Sequence, residues 1–407
     1  MSDLAIVVTV KGGGRAVDLA RRTFPKGVVA LTLSVLVGSL LGVSKQVSAH
    51  GSCGNRVVVV KGNHVTTWNG TDYWYGSPSY VSQTHMDNMI TEGIKSLTGQ
   101  STELAAWNQI IPSYSSGDKI AIKMNENNGA SGGNVIDPLP QLLKALVKSL
   151  KVRGVAESDI WFIEPSIGID NRVAQPVKEA YPGVTFYGAY STTYSSSCTY
   201  NSIDPSLTID HGDPGIGNSK LPDQMLTAKY LIHMPIIKAH GLAGVTLTYK
   251  NLIGLFQRAA ISKFHSYFFS TSNNPLVEIY ANSNVGGKTR LIVGDGIYGN
   301  WVNNYTAPTK WSIFGNDWPK RIFLATDPVA IDCVMYDFLD WQNDRTSQHE
   351  IYIVQAANAN QGTRDHWNNP TEKKYSVIDF VQLDMENLGP SPPTNLRIAP
   401  TNLRIVR

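Results

Sequence analysis

Short apolar runs recur along the chain, separated by stretches whose apolar residues return every three or four positions. Runs at 57–61, 119–124, 160–164, 184–187, 230–237, 290–293 and 321–325 are rich in β-branched or aromatic residues and stop at Gly, Pro, Asn or Asp. Length, composition and punctuation of that kind predict buried strands. Between them, 81–97 carries Met86, Met89, Ile90, Ile94 and Leu97 at helical spacing, and 139–152 carries Leu142, Leu143, Leu146, Val147 and Leu150 on one broad face. A third helix is predicted over 328–341, with Asp327 as its N-cap and Pro328 in the first helical position. Strands alternating with helices predict an α/β fold, a mostly parallel sheet flanked by helices. The Ser/Thr/Tyr-rich stretch 190–209 and the stretch 297–319 interrupt the alternation and are expected as irregular surface insertions.

The two ends obey other rules. Arg21-Arg22-Thr23-Phe24-Pro25-Lys26 precedes an uncharged, mostly apolar run over 27–44 and then Val47-Ser48-Ala49, the order of a secretory leader. The arginine pair is similar to a twin-arginine signal, with proline where leucine is usual. Residues 1–49 are therefore expected to be a removable signal peptide and the mature protein to work outside the cytoplasm, in the periplasm, at the cell surface or secreted. The apolar run falls short of the roughly 20 residues of a membrane span, so no stable span is expected once the leader is removed; an uncleaved anchor is the competing reading. Cys53 comes after His50-Gly51-Ser52, which lacks the aliphatic residue of a lipidation site. At the other end, 387–407 opens with Gly389-Pro390-Ser391-Pro392-Pro393 and repeats Pro-Thr-Asn-Leu-Arg-Ile, too little to bury a core. It reads as a linker or tail, the start of a further module or a tether to a surface, leaving 50–386 as the working domain.

Charge changes meaning once the leader is set apart. Six of the 35 basic and two of the 32 acidic residues lie in 1–49, so the remainder carries 29 basic against 30 acidic residues. A near-neutral protein is not a nucleic-acid binder driven by phosphate neutralisation. Three cysteines, Cys53, Cys198 and Cys333, cannot hold a four-thiolate iron–sulfur cluster. Cys198 and Cys333 either pair or stay as buried thiols.

Ligands of open α/β sheets sit beyond the carboxyl ends of the strands, so the residues just past each strand are the candidates for chemistry. Lys123 and Asn125 close the second strand and lead into a Gly/Asn loop over 125–134, which reads as an anion or metal site or as an ordinary turn. Gly129-Ala130-Ser131-Gly132-Gly133 matches a nucleophile elbow in form, but it lacks the immediate strand–turn–helix setting that the elbow needs. The richest segment is 233–254. An apolar strand ends in Lys238 and His240, and a glycine-interrupted helix carrying Thr246, Lys250 and Asn251 is expected next. Two lysines, a histidine and an amide make a cationic pocket suited to carboxylate or phosphate. Asp295, in Gly294-Asp295-Gly296, is the candidate general base, metal ligand or orienter of His240. Asp327 is either a further ligand contact or simply the helix cap, and Asp332 is a weaker candidate. Lys238, His240, Lys250 and Asp295 are thus the catalytic candidates and His240 and Asp295 the metal candidates. Lys123, Asn125, Thr246, Asn251 and Asp327 are the cofactor- or ligand-binding candidates, with the cofactor itself unspecified.

From about Arg56 to Phe380 the chain resembles the prokaryotic proteins grouped as domain of unknown function 362. The resemblance rests on Gly117-Asp118-Lys119-Ile120-Ala121-Ile122-Lys123-Met124-Asn125, the segment 238–254, Asp295-Gly296-Ile297 and Thr326-Asp327-Pro328-Val329-Ala330-Ile331-Asp332, in that order. It implies a twin-arginine leader, common among such proteins, and in many of them an added ferredoxin-like cysteine cluster. This sequence departs from the latter, and its polar residues suggest a site independent of any cluster. Three functions are expected in turn. The first is an exported enzyme of proton or electron transfer acting on an anionic small molecule, metal- or cofactor-dependent. The second is an extracytoplasmic binding protein without turnover. The third is an adhesive exoprotein presenting Trp68, Tyr73, Trp74, Tyr75 and Tyr80.

Overall fold

The computed structural model describes residues 52–126, 135–303, 305–369 and 371–386. The expected leader, the glycine loop beyond Glu126 and the tail lie outside them. Among the described residues no helix is long and apolar enough to cross a membrane.

Thirteen strands are present among the described residues. The first seven are β1 (Arg56–Lys61), β2 (Lys119–Lys123), β3 (Ile160–Glu164), β4 (Thr185–Gly188), β5 (Ser196–Ser197), β6 (Thr208–Asp210) and β7 (Asn218–Lys220). The rest are β8 (Ala228–His233), β9 (Ile236–His240), β10 (Gly244–Thr246), β11 (Thr289–Asn300), β12 (Arg321–Ala325) and β13 (Asp379–Asp384). Eleven of them form one sheet in the order β13-β1-β12-β11-β8-β2-β3-β4-β5, with β9 joined to β11 and β10 to β9; β6 and β7 form a separate ribbon. The sheet is mostly parallel. β12 runs antiparallel to both its neighbours, and β9–β10 is an antiparallel hairpin. This is the expected α/β architecture.

Helices cover both faces, which is why the strands read as nearly continuous apolar runs. Helices α1 (Gln83–Thr98), α2 (Glu103–Ile110), α3 (Pro140–Val152) and α4 (Asn171–Ala180) pack one face with Val58, Val60, Ile120, Ile122, Phe162, Ile322 and Leu324. The other face takes α5 (Thr248–Asn251), α6 (Pro275–Ala281), α7 (Pro328–Gln342) and α8 (Ile351–Asn358), together with Val57, Val59, Ala121, Ile163, Phe323 and Ala325. Neighbouring residues of one strand therefore feed opposite cores, as the pleat requires. Ser82 caps α1 by accepting the His85 N–H, and Gly99 ends it at φ 70° in the left-handed region.

Three segments differ from expectation. The run at 290–293 continues to Asn300 as the buried β11, so Asp295 lies within a strand and the expected insertion 297–319 begins as strand. The run at 230–237 is two strands rather than one: the chain leaves the β2 edge at Met234, whose N–H reaches Lys123 O, and Pro235 supplies no N–H to continue the ladder. The helix expected after His240 begins instead with a tight turn and a returning strand, β10. His240 starts that turn, its Nδ1 accepting the N–H groups of Leu242 and Ala243 at 3.0 Å each, and Gly244 closes it at φ 75°. Only then does the short α5 form, its first N–H groups held by Asp332. The aromatic residues near the start of the domain also resolve into packing. Trp68 and Tyr75 are buried against Tyr298 and Trp318, with Trp68 and Trp318 stacked at 4.8 Å, while Tyr73 is exposed. Cys53, Cys198 and Cys333 are all free thiols.

Candidate functional site

The sheet's second core opens, at the carboxyl ends of β2, β3 and β9, into a small polar cavity. Seven of the residues singled out from the sequence line it: Lys123, Asn125, Lys238, His240, Thr246, Lys250 and Asn251. They come from segments over a hundred residues apart. Pleating explains part of the convergence: Lys123 lies two residues beyond Ala121 on the face of β2 that carries this core, and cross-strand pairing sets Thr246 directly opposite Lys238.

The floor is a buried polar network. Lys123 Nζ donates to Glu164 Oε2 at 2.8 Å, to Asn251 Oδ1 at 3.1 Å and to the Met124 carbonyl at 2.6 Å. Asn125 Nδ2 donates to the same Asn251 oxygen at 2.9 Å, and Ser166 Oγ donates to Glu164 Oε1 at 2.6 Å. Lys123 is fully committed, its charge neutralised by Glu164. It holds the cavity together rather than reaching into it. Gly254 belongs to this floor by necessity, because a Cβ there would collide with Glu164 Oε1 and Lys123 Nζ.

The walls differ in kind, because their polar atoms lack partners. Lys238 is 1 % exposed, and its Nζ has no hydrogen-bond partner among the described residues; the same holds for Thr246 Oγ1, Asn125 Oδ1 and Glu126 Oε2. Lys250 is buried at 6 % exposure, with its Nζ 4.9 Å from the Phe268 ring centroid and no carboxylate beside it among the described residues. Burying a lone ammonium is costly, so both amines lose basicity. Burial brings Lys238 down to about 8. Burial, then the charges of Lys238 and Lys123, bring Lys250 to about 7. Burial, together with the nearby Asp137, raises the Glu126 carboxyl well above its usual range. Arg258 and the half-buried His265 stand at the mouth with Tyr305.

His240 is neutral: burial, then Lys250 and Lys238, push it down to about 2. Since its Nδ1 accepts two backbone N–H groups, the ring proton sits on Nε2. That nitrogen is a hydrogen-bond donor and has no lone pair to offer a metal.

Asp295, expected as the orienter of His240, is not in the cavity lining, although its charge reaches Lys238, and Asp327 takes the cap role that the sequence offered it. Asp295 is buried in β11 beside Ile236, its Oδ1 accepting the Ile297 N–H at 3.1 Å, and burial raises it to about 6. Asp327 caps α7, Oδ1 accepting from Val329 and Ala330 and Oδ2 from Thr363. His240 and Asp295 are thus not brought together in the cavity lining, and no group of three or more His, Cys, Asp or Glu suited to a metal exists among the described residues. Asp332 likewise serves structure, anchoring the start of α5 and accepting from Tyr352 Oη. Sequence reasoning passed over Glu126, Glu164, Arg258 and His265. Glu164 had a legible signal, a carboxylate at the carboxyl end of a predicted strand.

The model of the family described as "Domain of unknown function (DUF362)" matches residues 120–337, more than half of the chain. The chain belongs to the DUF362 family. The matched span takes in every cavity residue from Lys123 to Tyr305. No curated protein matches it. Among solved structures it is similar to the lactate racemase apoprotein from Thermoanaerobacterium thermosaccharolyticum, at 12% identity and a TM-score of 0.33. That similarity covers 70% of this chain and 57% of the other, and the DUF362 chain thus spans less than two thirds of that structure's length.

Proposed function

We propose that this protein binds a small organic anion, a carboxylate or phosphate, in the two-lysine cavity and exchanges a proton with it, acting outside the cytoplasm. The observation that carries the reading is the buried Lys238 Nζ beside Lys250, which makes no hydrogen bond or ion pair among the described residues and feels Asp137, Glu164 and Asp295 only at longer range. An anion entering there supplies the missing acceptor and charge, while Nε2–H of His240 and the hydroxyl of Thr246 add neutral donors. Ordinary surface lysines carry no such driving force.

Proton exchange rests on the same geometry. Amines held near 7 and 8 are partly neutral in the physiological range, and an arriving negative charge raises both, so binding takes up protons from solution. A lysine of this kind accepts a proton from a ligand and returns it without a metal in the step. The export half of the reading rests on the twin-arginine-like order of 21–49. A binding protein without turnover would use the same pocket, and isotope exchange into the bound ligand tells the two apart.

Calorimetric titration with acetate, pyruvate, succinate and inorganic phosphate, in two buffers of different ionisation enthalpy at pH 7.5, tests the reading. Binding of at least one anion with net proton uptake, abolished in Lys238→Met, is expected. Heats that are absent for every anion, or unchanged in the variant, would refute it. Proton–deuterium exchange into a bound carboxylate, monitored by NMR, marks turnover; its absence with binding intact favours simple capture.

A further inference from the structure

Besides Lys123, which is paired with Glu164, the cavity holds two buried amines outside any ion pair among the described residues, where anion binding needs one. Lys238 sits deeper, opposite Thr246 on the neighbouring strand, and supplies the charge for a carboxylate. Lys250 comes from a different element, the short α5 held by Asp332, and faces the same space with no carboxylate beside it among the described residues. A lysine surrounded by other cations and shielded from water is the arrangement that frees an amine lone pair for attack on carbonyl carbon. The cations around it are Lys238, Lys123 and Arg258, with the Glu164 charge already spent on Lys123. A second requirement is a proton donor for a departing oxygen. The wall provides one in Glu126, whose Oε2 is buried and lacks a partner among the described residues, a setting in which burial favours the acid form.

We propose that Lys250 forms a reversible imine with the carbonyl carbon of a small 2-oxo carboxylate whose carboxylate is held by Lys238 and His240. This rests on the anion-binding reading above and narrows its ligand class. In the first step the Lys250 Nζ lone pair forms a bond to the carbonyl carbon, the C=O π pair moves onto oxygen, and a proton passes from nitrogen to that oxygen. In the second the hydroxyl takes a proton from Glu126 and leaves as water while the nitrogen lone pair closes the C=N bond, giving a protonated imine. Loss of the iminium proton returns Glu126 to its acid form, so amine and ketone give imine and water, with no oxidant or reductant consumed. The imine draws electrons from the adjacent carbon, which is what a subsequent proton transfer there needs.

The test incubates the full protein at pH 7 with pyruvate or glyoxylate and sodium cyanoborohydride, which reduces an imine to a stable secondary amine, and locates the adduct by peptide mass spectrometry. An amine held at about 7 is half neutral at pH 7, against less than about 0.1% for an exposed lysine. Labelling of Lys250 at least about tenfold faster than of any exposed lysine is therefore expected. Propionate should suppress it by occupying the carboxylate site, and Lys250→Arg, verified as folded by circular dichroism, should abolish it. Adducts spread over exposed lysines, or an adduct on Lys238 in place of Lys250, would overturn the imine. If at the same time propionate still raises the melting temperature of the parent protein, the anion site survives that result. If neither propionate nor pyruvate stabilises the protein and Lys250 is not labelled, both readings fall.

Discussion

Replacing Lys238 by methionine should make the ligand-free protein more stable, and the size of the gain should depend on pH in a defined way. Methionine keeps the length and volume of the lysine stem, so packing on β9 is little disturbed. What disappears is an ammonium that is 1 % exposed and has no partner among the described residues. Burial lowers this amine to about 8 from an unfolded value of 10.5. Below pH 8 the lysine is protonated in both states, and the folded state bears the full cost of the lone charge. Between pH 8 and 10.5 the folded protein sheds the proton first, so the unfolded chain binds more protons and stability climbs with pH. Above 10.5 the amine is neutral in both states and the penalty is gone. A separation of 2.5 pH units corresponds to roughly 3 kcal/mol.

Urea denaturation monitored by tryptophan fluorescence at pH 7 and pH 10.5 measures this directly. Lys238→Met is expected to exceed the parent by about 2 to 3 kcal/mol at pH 7, and by well under 1 kcal/mol near pH 10.5. A variant less stable than the parent at pH 7, or a difference independent of pH, would refute the claim that Lys238 is an uncompensated buried charge. Adding a bound anion should reverse the order, since a ligand stabilises only the protein that retains its site.

The floor and the fold carry two further expected outcomes. Glu164→Leu leaves Lys123 buried without its counter-charge and is expected to cost about 3 to 5 kcal/mol, whereas Lys123→Met/Glu164→Leu should recover at least about 1 kcal/mol of that; a double-mutant cycle in urea that comes out additive would show that the 2.8 Å contact is energetically idle. Asp327→Ala strips three N–H groups of their acceptor at the start of α7 and is expected to cost about 2 kcal/mol of stability while leaving anion affinity unchanged. Loss of anion binding in a folded Asp327→Ala protein would contradict the assignment of Asp327 to structure alone.

What the sequence settled by itself was local. The predicted strands at 160–164 and 321–325 match β3 and β12, and the apolar stripe of Met86, Met89, Ile90, Ile94 and Leu97 is the buried face of α1, because strand and helix periodicity are written into neighbouring residues. Strand ends were legible for the same reason, and they delivered Lys123, Asn125, Lys238 and His240 to the cavity together with Thr246, Lys250 and Asn251. Reading 233–254 as strand then helix was wrong in form, since the return at Gly244 is fixed by a histidine nitrogen accepting two backbone N–H groups, a contact that periodicity does not encode. Partnership was decided only by the tertiary structure. Lys123 and Lys238 look alike in sequence, yet one meets Glu164 from a neighbouring strand and the other meets no acceptor among the described residues. Asp295 looks like a catalytic carboxylate at a strand end, yet it lies within β11 with Oδ1 accepting the Ile297 N–H, whereas Asp327 is the helix cap that its sequence setting offered. Whether a charged side chain is a support or a reactive group depends on burial and on the atoms within about 3 Å of it, and those are properties of residues far apart in the chain.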